Sequence, residues 1–452
     1  MNNIKKLFSL LCLCPLLAGA QKYVGGDISL LPTYEEHGVH YLDTHGTQVQ
    51  LLPYLGREAG WNAMRVRLFV DPSKAPAAHR QEGVRQDLDY VTALARRIKA
   101  EGYALMLDFH YSDTWTDPGQ HATPSAWTSS DPSVLADSVY RYTVRCLEHL
   151  KANGVAPDLI QPGNEVTFGM LWPTGRCYPD GSQYGTGRFS NFVGYLQAGI
   201  KGCREVCPQA KIIVHTELSS AWNVTTFYNT LGNRVDYDII GLSYYPDYHG
   251  PLSTLASTLT TLEAQHADKD IMIVETGYGA RWSLNGDYSS AVQRAWPVTE
   301  AGQRQFTLDL IGELARHSRV TGLFWWLPED NEFWADKNPA RSSWWNASLY
   351  TQNTGRPLAA LFELQRFVGL DPTGIAAPPL TDSSRPAAGT FWPSAGSSQP
   401  SASSFQPSAG ASQSSANTSD ASPVYTLQGV QLPANAPLRR GVYVQGGKKI
   451  VR

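Results

Sequence analysis

The sequence predicts an α/β fold: a closed (β/α)8 barrel of the TIM type, followed by a disordered Ser/Pro-rich segment and a short β-type tail. Between residues 23 and 370, eight short apolar runs typical of buried parallel strands alternate with longer amphipathic segments typical of helices. The competing architecture is an open, doubly wound sheet. The count of eight strands and the lack of a G-x-G-x-x-G motif after the first strand both disfavour it.

Each predicted strand is an apolar run that ends near polar, Gly or Pro residues. The eight runs are Val24–Ile28, Ala63–Val70, Ala104–Tyr111, Leu159–Gly163, Lys211–His215, Ile239–Tyr244, Ile271–Glu275 and Gly322–Trp326. Runs that are apolar along their whole length are typical of parallel sheets, because helices cover the outer face of such a sheet.

Two intervening segments show the helical pattern most clearly. Residues Gln86–Glu101 place one apolar face at helical spacing, formed by Leu88, Val91, Leu94, Ala95 and Ile98. Residues Asp131–Asn153 begin with an N-cap Asp and a Pro at the first helical position, and Gly154 ends them.

The two ends of the chain differ in composition from the barrel domain, which we assign to residues 21–372. Residues 1–20 read as a signal peptide: Lys5 and Lys6 precede an apolar run too short to span a bilayer, and Ala18-Gly19-Ala20 supplies small residues for cleavage. Residues 373–422 are a low-complexity linker rich in Ser, Pro, Ala, Gly and Gln. Residues 423–452 form a short tail with some β character, for which a C-terminal sorting signal is one interpretation.

Composition narrows the class of ligand. Charged residues make up 17% of the chain, aromatic residues 11%, and the formal net charge is −3. Nucleic acid recognition needs a basic stripe, so we expect no nucleic acid partner. Low charge with many aromatic rings fits a neutral, flat-faced ligand such as a sugar.

We expect a secreted, cell-surface or periplasmic protein with no transmembrane segment and a monomeric state.

Four cysteines follow the signal segment, namely Cys146, Cys177, Cys203 and Cys207. Cys203 and Cys207 are one helical turn apart, which is poor geometry for a disulfide, and the spacings match no zinc pattern. We favour buried free thiols over one disulfide.

Two glutamates stand where predicted strands end. Glu165 follows the fourth strand in Gln161-Pro162-Gly163-Asn164-Glu165, and Glu275 ends the seventh in Val274-Glu275-Thr276-Gly277. The carboxyl ends of barrel strands form the active-site face. Retaining glycoside hydrolysis uses two carboxyl groups facing each other across the sugar. The pair therefore predicts a glycosidase in which one carboxyl is the acid/base and the other the nucleophile.

Other carboxylates compete for these roles. Glu217 follows the fifth strand, and Asp108 and Asp113 flank His110 after the third. Arg65 and Arg67 lie two residues apart on the second strand and point the same way. A buried arginine must be paired with a carboxylate. That carboxylate is either Asp108 or the nucleophile itself, whose pKa the arginine would lower.

Several longer motifs resemble glycoside hydrolase family 53, the endo-β-1,4-galactanases, over residues 23 to 370. The motifs are Gly25-Gly26-Asp27-Ile28-Ser29, the run Gly60 to Arg67, Leu107 to Asp113 with Trp115 and Asp117-Pro118-Gly119, Gly163-Asn164-Glu165 with Gly169 to Pro173, Gly241 to Pro246, and Val274 to Tyr278. The resemblance implies endo-acting, retaining hydrolysis of β-1,4-galactan in type I arabinogalactan or pectin.

The resemblance also implies roles for individual residues. Glu165 matches the acid/base and Glu275 the nucleophile. Asn164 matches the residue that contacts the sugar 2-hydroxyl, and Arg65 matches the arginine beside the nucleophile. The expected substrate-binding residues at the cleaved sugar are His110, Tyr244 or Tyr245, and Trp326, and those that stack on neighbouring rings are Trp115 and Trp172.

This chain departs from the family after its seventh strand. Residues Gly279–Trp296 lack the acidic run that holds calcium in some bacterial members, with only Asn285 and Asp287 in its place. We therefore favour the absence of any metal or cofactor over a bound calcium ion. Tyr248 stands where Trp is usual, and Trp325 to Glu329 differ from the commoner Trp-Glu-Pro form, which affects the subsites and the product length.

Two alternatives stay open. One is a related retaining endoglycanase that acts on another β-1,4-glycan. The other is a polysaccharide-binding barrel that has lost catalysis. The presence of both Glu165 and Glu275 favours an active enzyme.

Overall fold

A computed structural model of the chain describes residues 21–181, 186–218, 220–281, 289–334, 336, 347–369, 424–426, 442–445 and 448–451. The chain forms two compact units, Met1–Pro372 and Thr373–Arg452. The predicted signal segment 1–20 and the whole predicted linker 373–422 lie outside the described residues.

Eight parallel strands close into one barrel, as the sequence predicts. They are β1 (Tyr23–Asp27), β2 (Ala63–Leu68), β3 (Ala104–Phe109), β4 (Leu159–Pro162), β5 (Lys211–Glu217), β6 (Ile239–Tyr244), β7 (Asp270–Thr276) and β8 (Val320–Trp325). Each strand pairs with its sequence neighbours, and β1 pairs with β8 to complete the ring. The fifth strand continues two residues beyond the prediction, from His215 to Glu217.

Helices between the strands cover the barrel. They are α1 (Leu31–Glu36), α2 (Leu51–Arg57), α3 (Ala77–Gln81), α4 (Leu88–Ala100), α5 (Pro132–Ala152), α6 (Thr186–Val206), α7 (Ala221–Leu231), α8 (Pro246–His249), α9 (Leu252–Gln265), α10 (Ser290–Ala295), α11 (Glu300–Leu314) and α12 (Ala359–Glu363). Short 3-10 turns occupy Pro72–Lys74, Val166–Phe168, Gly232–Arg234, Glu332–Trp334 and Leu364–Val368.

The two helices predicted most clearly begin at Asp N-caps. The Asp87 carboxylate accepts from the Tyr90 N–H at the start of α4. The Asp131 carboxylate accepts from the Ser133 N–H at the start of α5, with Pro132 in the first turn. These side chains satisfy N–H groups that have no partner within the helix, which fixes where each helix starts.

The interior of the barrel has an apolar layer below a polar layer. The apolar layer consists of Ala63, Met106, Leu159, Ile213, Ile239, Met272, Val274 and Phe324. Side chains alternate along a strand, so the next inward position lies two residues later. On β2 to β5 those positions hold Arg65, Asp108, Gln161 and His215, and all four are fully buried. The apolar layer therefore supports a ring of polar side chains at the carboxyl end of the strands.

Strand β7 breaks this alternation with a β-bulge. Leu242 and Ser243 are consecutive on β6, yet they pair with Ile273 and Glu275 on β7. On the other side, Leu323 and Trp325 pair with Ile273 and Thr276, which again leaves one extra residue on β7. A bulge of this kind re-aims the following side chain. Val274 and Glu275 therefore both face the barrel interior.

Smaller elements complete the described chain. Tyr41–Leu42 and Gln48–Val49 form an antiparallel pair. In the second unit, Val424–Thr426, Val442–Gln445 and Lys448–Val451 form a three-stranded antiparallel sheet.

The four cysteines after the signal segment are buried and carry free thiols. In the described part of the chain, no helix combines the length and apolar character needed to cross a bilayer.

Candidate active site

Arg65 is the centre of the polar layer. Its side chain is fully buried. Its Nη1 lies 2.9 Å from Asp27 Oδ2, and its Nε donates to Gln161 Oε1 at 3.0 Å. Its Nη2 lies 2.8 Å from Asp108 Oδ2, 2.9 Å from Glu275 Oε1 and 2.8 Å from Asn164 Oδ1. Burial alone would lower the pKa of the guanidinium, but Asp108, Glu275 and Asp27 together raise it. Arg65 is therefore a permanent buried cation that orients groups from four other strands or strand ends.

Glu275 reaches Arg65 because of the bulge in β7. Its Oε2 accepts a hydrogen bond of 3.1 Å from the Tyr245 hydroxyl, while Oε1 faces Arg65. Burial raises the pKa of Glu275 to about 7, and Arg65 opposes that rise. A carboxylate with a cation at one oxygen and a hydrogen-bond donor at the other is held in one orientation with its charged form favoured.

Glu165 occupies a strained backbone position just beyond β4. Its φ of 46° lies in the left-handed region, and Gly163 before it has a φ of 112°. For a residue other than glycine this conformation is unfavourable, and it recurs at functional sites. The turn carries the Glu165 side chain, which is only 9% exposed, into the barrel mouth.

The two glutamates differ in their electrostatic partners. Burial raises the pKa of Glu165 well above its ordinary value, and the charge of Glu275 raises it further. The Ser243 hydroxyl donates to Glu165 and opposes this rise. Among the residues that the structure describes, no arginine pairs with Glu165 as Arg65 does with Glu275. The arrangement therefore assigns the proton to Glu165 and the negative charge to Glu275.

Asn164 and His110 lie beside Arg65 and Asp108 in the polar layer. The Asn164 amide accepts from Arg65 and donates to the Thr116 carbonyl at 2.7 Å. His110 Nδ1 accepts from the Thr116 N–H at 2.9 Å, so Nε2 carries the proton and lies 2.9 Å from Asp108 Oδ2. Burial lowers the pKa of His110, which keeps the ring neutral.

Of the competing carboxylates, Asp108 pairs with Arg65. Burial would raise its pKa, but Arg65 and His110 hold the pKa of Asp108 at about 2. Asp113 instead accepts from the Asp71 and Ser125 backbone N–H groups and braces two loops. Glu217 is buried beside Glu165 and lies 3.8 Å from His249 Nε2.

The two adjacent tyrosines face different sides of the barrel wall. Tyr245 contacts Glu275, as described above. Tyr244 is fully buried, packs against Phe306 of α11 and donates to the Gly250 carbonyl at 2.9 Å. The expectation that Tyr244 lines the site is therefore corrected: after Ser243, which faces inward, the alternation of the strand turns Tyr244 toward the helix layer.

Trp326 covers the arginines. Its ring lies 5.7 Å from the Arg65 guanidinium carbon and 4.8 Å from that of Arg67. Its backbone N–H donates to the Thr276 carbonyl at 2.8 Å, which ties the end of β8 to the end of β7. Trp326 is half-buried, so part of its ring is accessible at the barrel mouth.

Trp115 and Trp172 lie in loops after β3 and β4, and each is half-buried. One face of Trp115 stacks on His79, with 3.9 Å between ring centroids. The indole N–H of Trp172 donates to the Phe168 carbonyl at 3.0 Å, and the Arg176 guanidinium lies 4.3 Å over its ring. Each indole is thus held in place by neighbours on one side.

The sequence reasoning did not identify Asp27, Gln161, His215 or Ser243 as site residues, although all four are buried in the polar layer. The signal was available, because each stands two residues after a glycine or an apolar residue of the inner layer, on a strand already predicted. Counting alternate positions finds them once the inward-facing phase of each strand is known.

The described residues contain no group of three or more His, Cys, Asp or Glu side chains arranged to hold a metal ion. Within the segment Gly279–Trp296 after β7, residues 282–288 lie outside the described residues.

Comparisons with known proteins identify the family of the chain. The family model described as "Glycosyl hydrolase family 53" matches residues 23–364. The arabinogalactan endo-beta-1,4-galactanase A of Aspergillus niger is 31% identical over 350 residues, which cover 74% of this chain and 92% of that protein. A probable enzyme of the same name from Neosartorya fischeri is 31% identical over 333 residues, covering 71% and 88%.

Two solved structures show the same fold. The GH53 catalytic domain of Ignisphaera aggregans superposes with a TM-score of 0.66 and 31% identity, covering 77% of this chain and 96% of that one. A structure from a study of two fungal beta-1,4-galactanases gives a TM-score of 0.64 with 30% identity, covering 77% and 100%. On this match and these relatives, the chain belongs to glycosyl hydrolase family 53.

Proposed function

We propose that this protein is a retaining endo-β-1,4-galactanase that cleaves the galactan chains of type I arabinogalactan and pectin. The observation that carries the chemistry is the unequal setting of two buried glutamates: Glu275 contacts Arg65 and Tyr245, whereas no cation of the described part of the chain pairs with Glu165. The galactan substrate is supported by the family and by the names of its relatives.

In the first step, Glu275 attacks the anomeric carbon while Glu165 gives its proton to the glycosidic oxygen. The bond between the anomeric carbon and that oxygen breaks, and a covalent glycosyl-enzyme ester forms on Glu275. As the negative charge of Glu275 passes into the new ester bond, it no longer raises the pKa of Glu165. Glu165, now ionised, is therefore a suitable base for the second step.

In the second step, Glu165 removes a proton from water as the water oxygen attacks the anomeric carbon. The ester bond to Glu275 breaks, and Glu275 leaves as a carboxylate. Two inversions give net retention. Arg65 stabilises Glu275 as the leaving carboxylate. Asn164 and His110 are placed to hold hydroxyls of the cleaved sugar, and Trp326, Trp115 and Trp172 to stack on sugar rings.

The substrate test compares debranched galactan with mannan, xylan and cellulose, measured as release of reducing ends. We expect release from galactan alone, with the anomeric configuration of the first product retained by proton NMR. Hydrolysis of another glycan in preference to galactan would refute the substrate, and an inverted product would refute the mechanism.

The role assignment is tested with Glu275→Gln and Glu165→Ala. We expect both variants to be inactive on galactan, and azide to restore turnover of an activated aryl galactoside only in Glu165→Ala, because azide replaces the base-activated water. Glu363→Gln is the matched control, since Glu363 is a buried glutamate paired with Arg304 and Arg366 in the outer layer. Rescue of Glu275→Gln instead of Glu165→Ala would reverse the two roles.

We also propose that the protein is exported through the signal segment 1–20, acts as a monomer outside the cytoplasm and needs no metal. Cleavage before Gln21, read from the N-terminus of the protein recovered from its producing cell, tests export. A mass at twice that of the chain in light scattering would contradict the monomer.

A further inference from the structure

A chain of buried side chains joins the two glutamates below the sugar site. Beyond Arg65, the Gln161 amide accepts from Arg65 Nε at 3.0 Å, and its Nε2 lies 3.0 Å from His215 Nδ1. His215 Nε2 lies 2.8 Å from Ser243 Oγ. Ser243 in turn hydrogen-bonds the Glu165 carboxyl. The three linking residues come from β4, β5 and β6, and none of them has exposed surface.

Arg65 fixes the direction of every hydrogen bond in this series of side chains, because a guanidinium can donate but cannot accept. Gln161 must therefore present its oxygen to Arg65 and its NH2 group to His215. His215 Nδ1 also faces the Glu165 backbone N–H at 3.3 Å, so two donors point at it and it must accept. The neutral ring then carries its proton on Nε2 and donates to Ser243 Oγ. The Ser243 hydroxyl is left to donate to Glu165.

We infer that His215 and Ser243 are positioning residues for the acid/base of this enzyme: they form a one-way relay that keeps a hydroxyl donor on one oxygen of Glu165. The inference rests on the proposed function only in assigning Glu165 that role. Because the oxygen facing Ser243 already receives a proton, the catalytic proton resides on the other oxygen. That oxygen is the one free to face the glycosidic bond.

Other charged groups also act on Glu165, and the test must separate them from the relay. Glu275, Glu217 and Asp117 all raise the pKa of Glu165. The His215 ring faces Arg65, Asp108 and His110, and burial together with Arg65 lowers the pKa of His215 well below its ordinary value. The ring therefore stays neutral over the working range, and a variant at Ser243 leaves all these charges in place.

The main test is Ser243→Ala, which deletes the donor to Glu165 and little else. A lost hydrogen bond to a charged group corresponds to roughly one pH unit. We expect the alkaline limb of kcat/KM on galactan to move upward by about that much. We expect KM to stay unchanged, because Ser243 has no exposed surface with which to touch substrate.

Two further variants locate the effect. Thr216→Val deletes a buried hydroxyl on β5 that bonds the Tyr228 hydroxyl in the helix layer, and it should leave the alkaline limb in place. His215→Phe should move the limb in the same direction as Ser243→Ala. The double variant with Ser243→Ala should move it no further than Ser243→Ala alone, since His215 acts through Ser243.

A readout without substrate separates the relay from the galactanase activity. With glutamate labelled with carbon-13 at the carboxyl, the Glu165 resonance, assigned by its absence in Glu165→Gln, should titrate at higher pH in Ser243→Ala. An unchanged titration and an unchanged alkaline limb in Ser243→Ala overturn the relay. So do additive shifts in the double variant. If Ser243→Ala does not fold, an unchanged titration in His215→Phe overturns it equally. If the titration of Glu165 shifts in Ser243→Ala but the wild-type protein does not hydrolyse galactan, the relay stands and the proposed function is refuted.

Discussion

Replacing the proposed nucleophile should stabilise the protein while abolishing its activity. Glu275 shares Arg65 with Asp27 and Asp108, and Arg67 pairs with Asp27, so Glu275 is the third carboxylate in a buried cluster with two arginines. Glu275→Gln removes that charge, and its amide oxygen can face Arg65 while its NH2 group donates to the Tyr245 hydroxyl oxygen. Such trade-offs between stability and function are expected at strained active sites.

The size of the gain follows from the pKa of Glu275, raised by burial from 4.5 to about 7. A carboxyl whose folded pKa is raised contributes stability that is present below the unfolded value and lost as pH rises through the folded value. At about 1.36 kcal/mol per pKa unit, the free energy of unfolding of the wild type falls by up to about 3 kcal/mol between pH 4 and pH 8. The free energy of unfolding of Glu275→Gln does not fall in this way. For a domain of this size that corresponds to a Tm difference of about 4 °C.

The assay is calorimetric unfolding of both proteins between pH 4 and pH 9, beside galactan hydrolysis. The gain in unfolding free energy of Glu275→Gln over the wild type should be absent near pH 4, grow through neutrality and level off above pH 8. The activity of Glu275→Gln should be lower than that of the wild type by at least about 10⁴-fold. Glu363→Gln is the control, and it should lose stability because it gives up contacts with Arg304 and Arg366. A glutamine variant less stable than wild type at pH 8, or equally stabilised at every pH, would refute the reasoning.

Three further predictions concern neighbouring groups. Tyr245→Phe should lower kcat by about 10- to 100-fold because Glu275 loses its donor, whereas Tyr244→Phe should leave kcat unchanged and cost about 1 kcal/mol of unfolding free energy; equal kcat values would contradict this. Burial raises the pKa of Asp330 to about 7, so Asp330→Asn should lessen the fall in Tm between pH 5 and pH 8; parallel pH profiles would contradict this. EDTA should change neither kcat nor Tm, and restoration by calcium of a lost activity would refute the absence of a metal.

The sequence predicted the barrel well because its strands are buried on both faces and are therefore apolar along their whole length. The positions of Glu165 and Glu275 followed from the same pattern, since both stand at strand ends. The side on which Tyr244 lies depended on the phase of β6, which residue types alone did not reveal. The relay through Gln161, His215 and Ser243 was missed because its members are distant in sequence and meet only through strand register.

The bulge in β7 could not be predicted from residue preferences. Val274 belongs to the apolar layer of the barrel, and strict alternation would then place Glu275 among the helices. One extra residue, relative to both β6 and β8, corrects this. Nothing in the run Ile271–Glu275 differs from a regular strand in composition, so the bulge is a property of the pairing with its neighbours.

Because of that bulge, the chemistry of this enzyme depends on the length of a strand as well as on the identity of a residue. Losing a single amino acid from the middle of β7 would retain the glutamate in the chain yet carry its side chain to the outer wall. Libraries that vary only side chains leave this determinant untouched. Any redesign that idealises the barrel, or grafts its strands onto another scaffold, must therefore preserve the count of residues between Ile273 and Thr276.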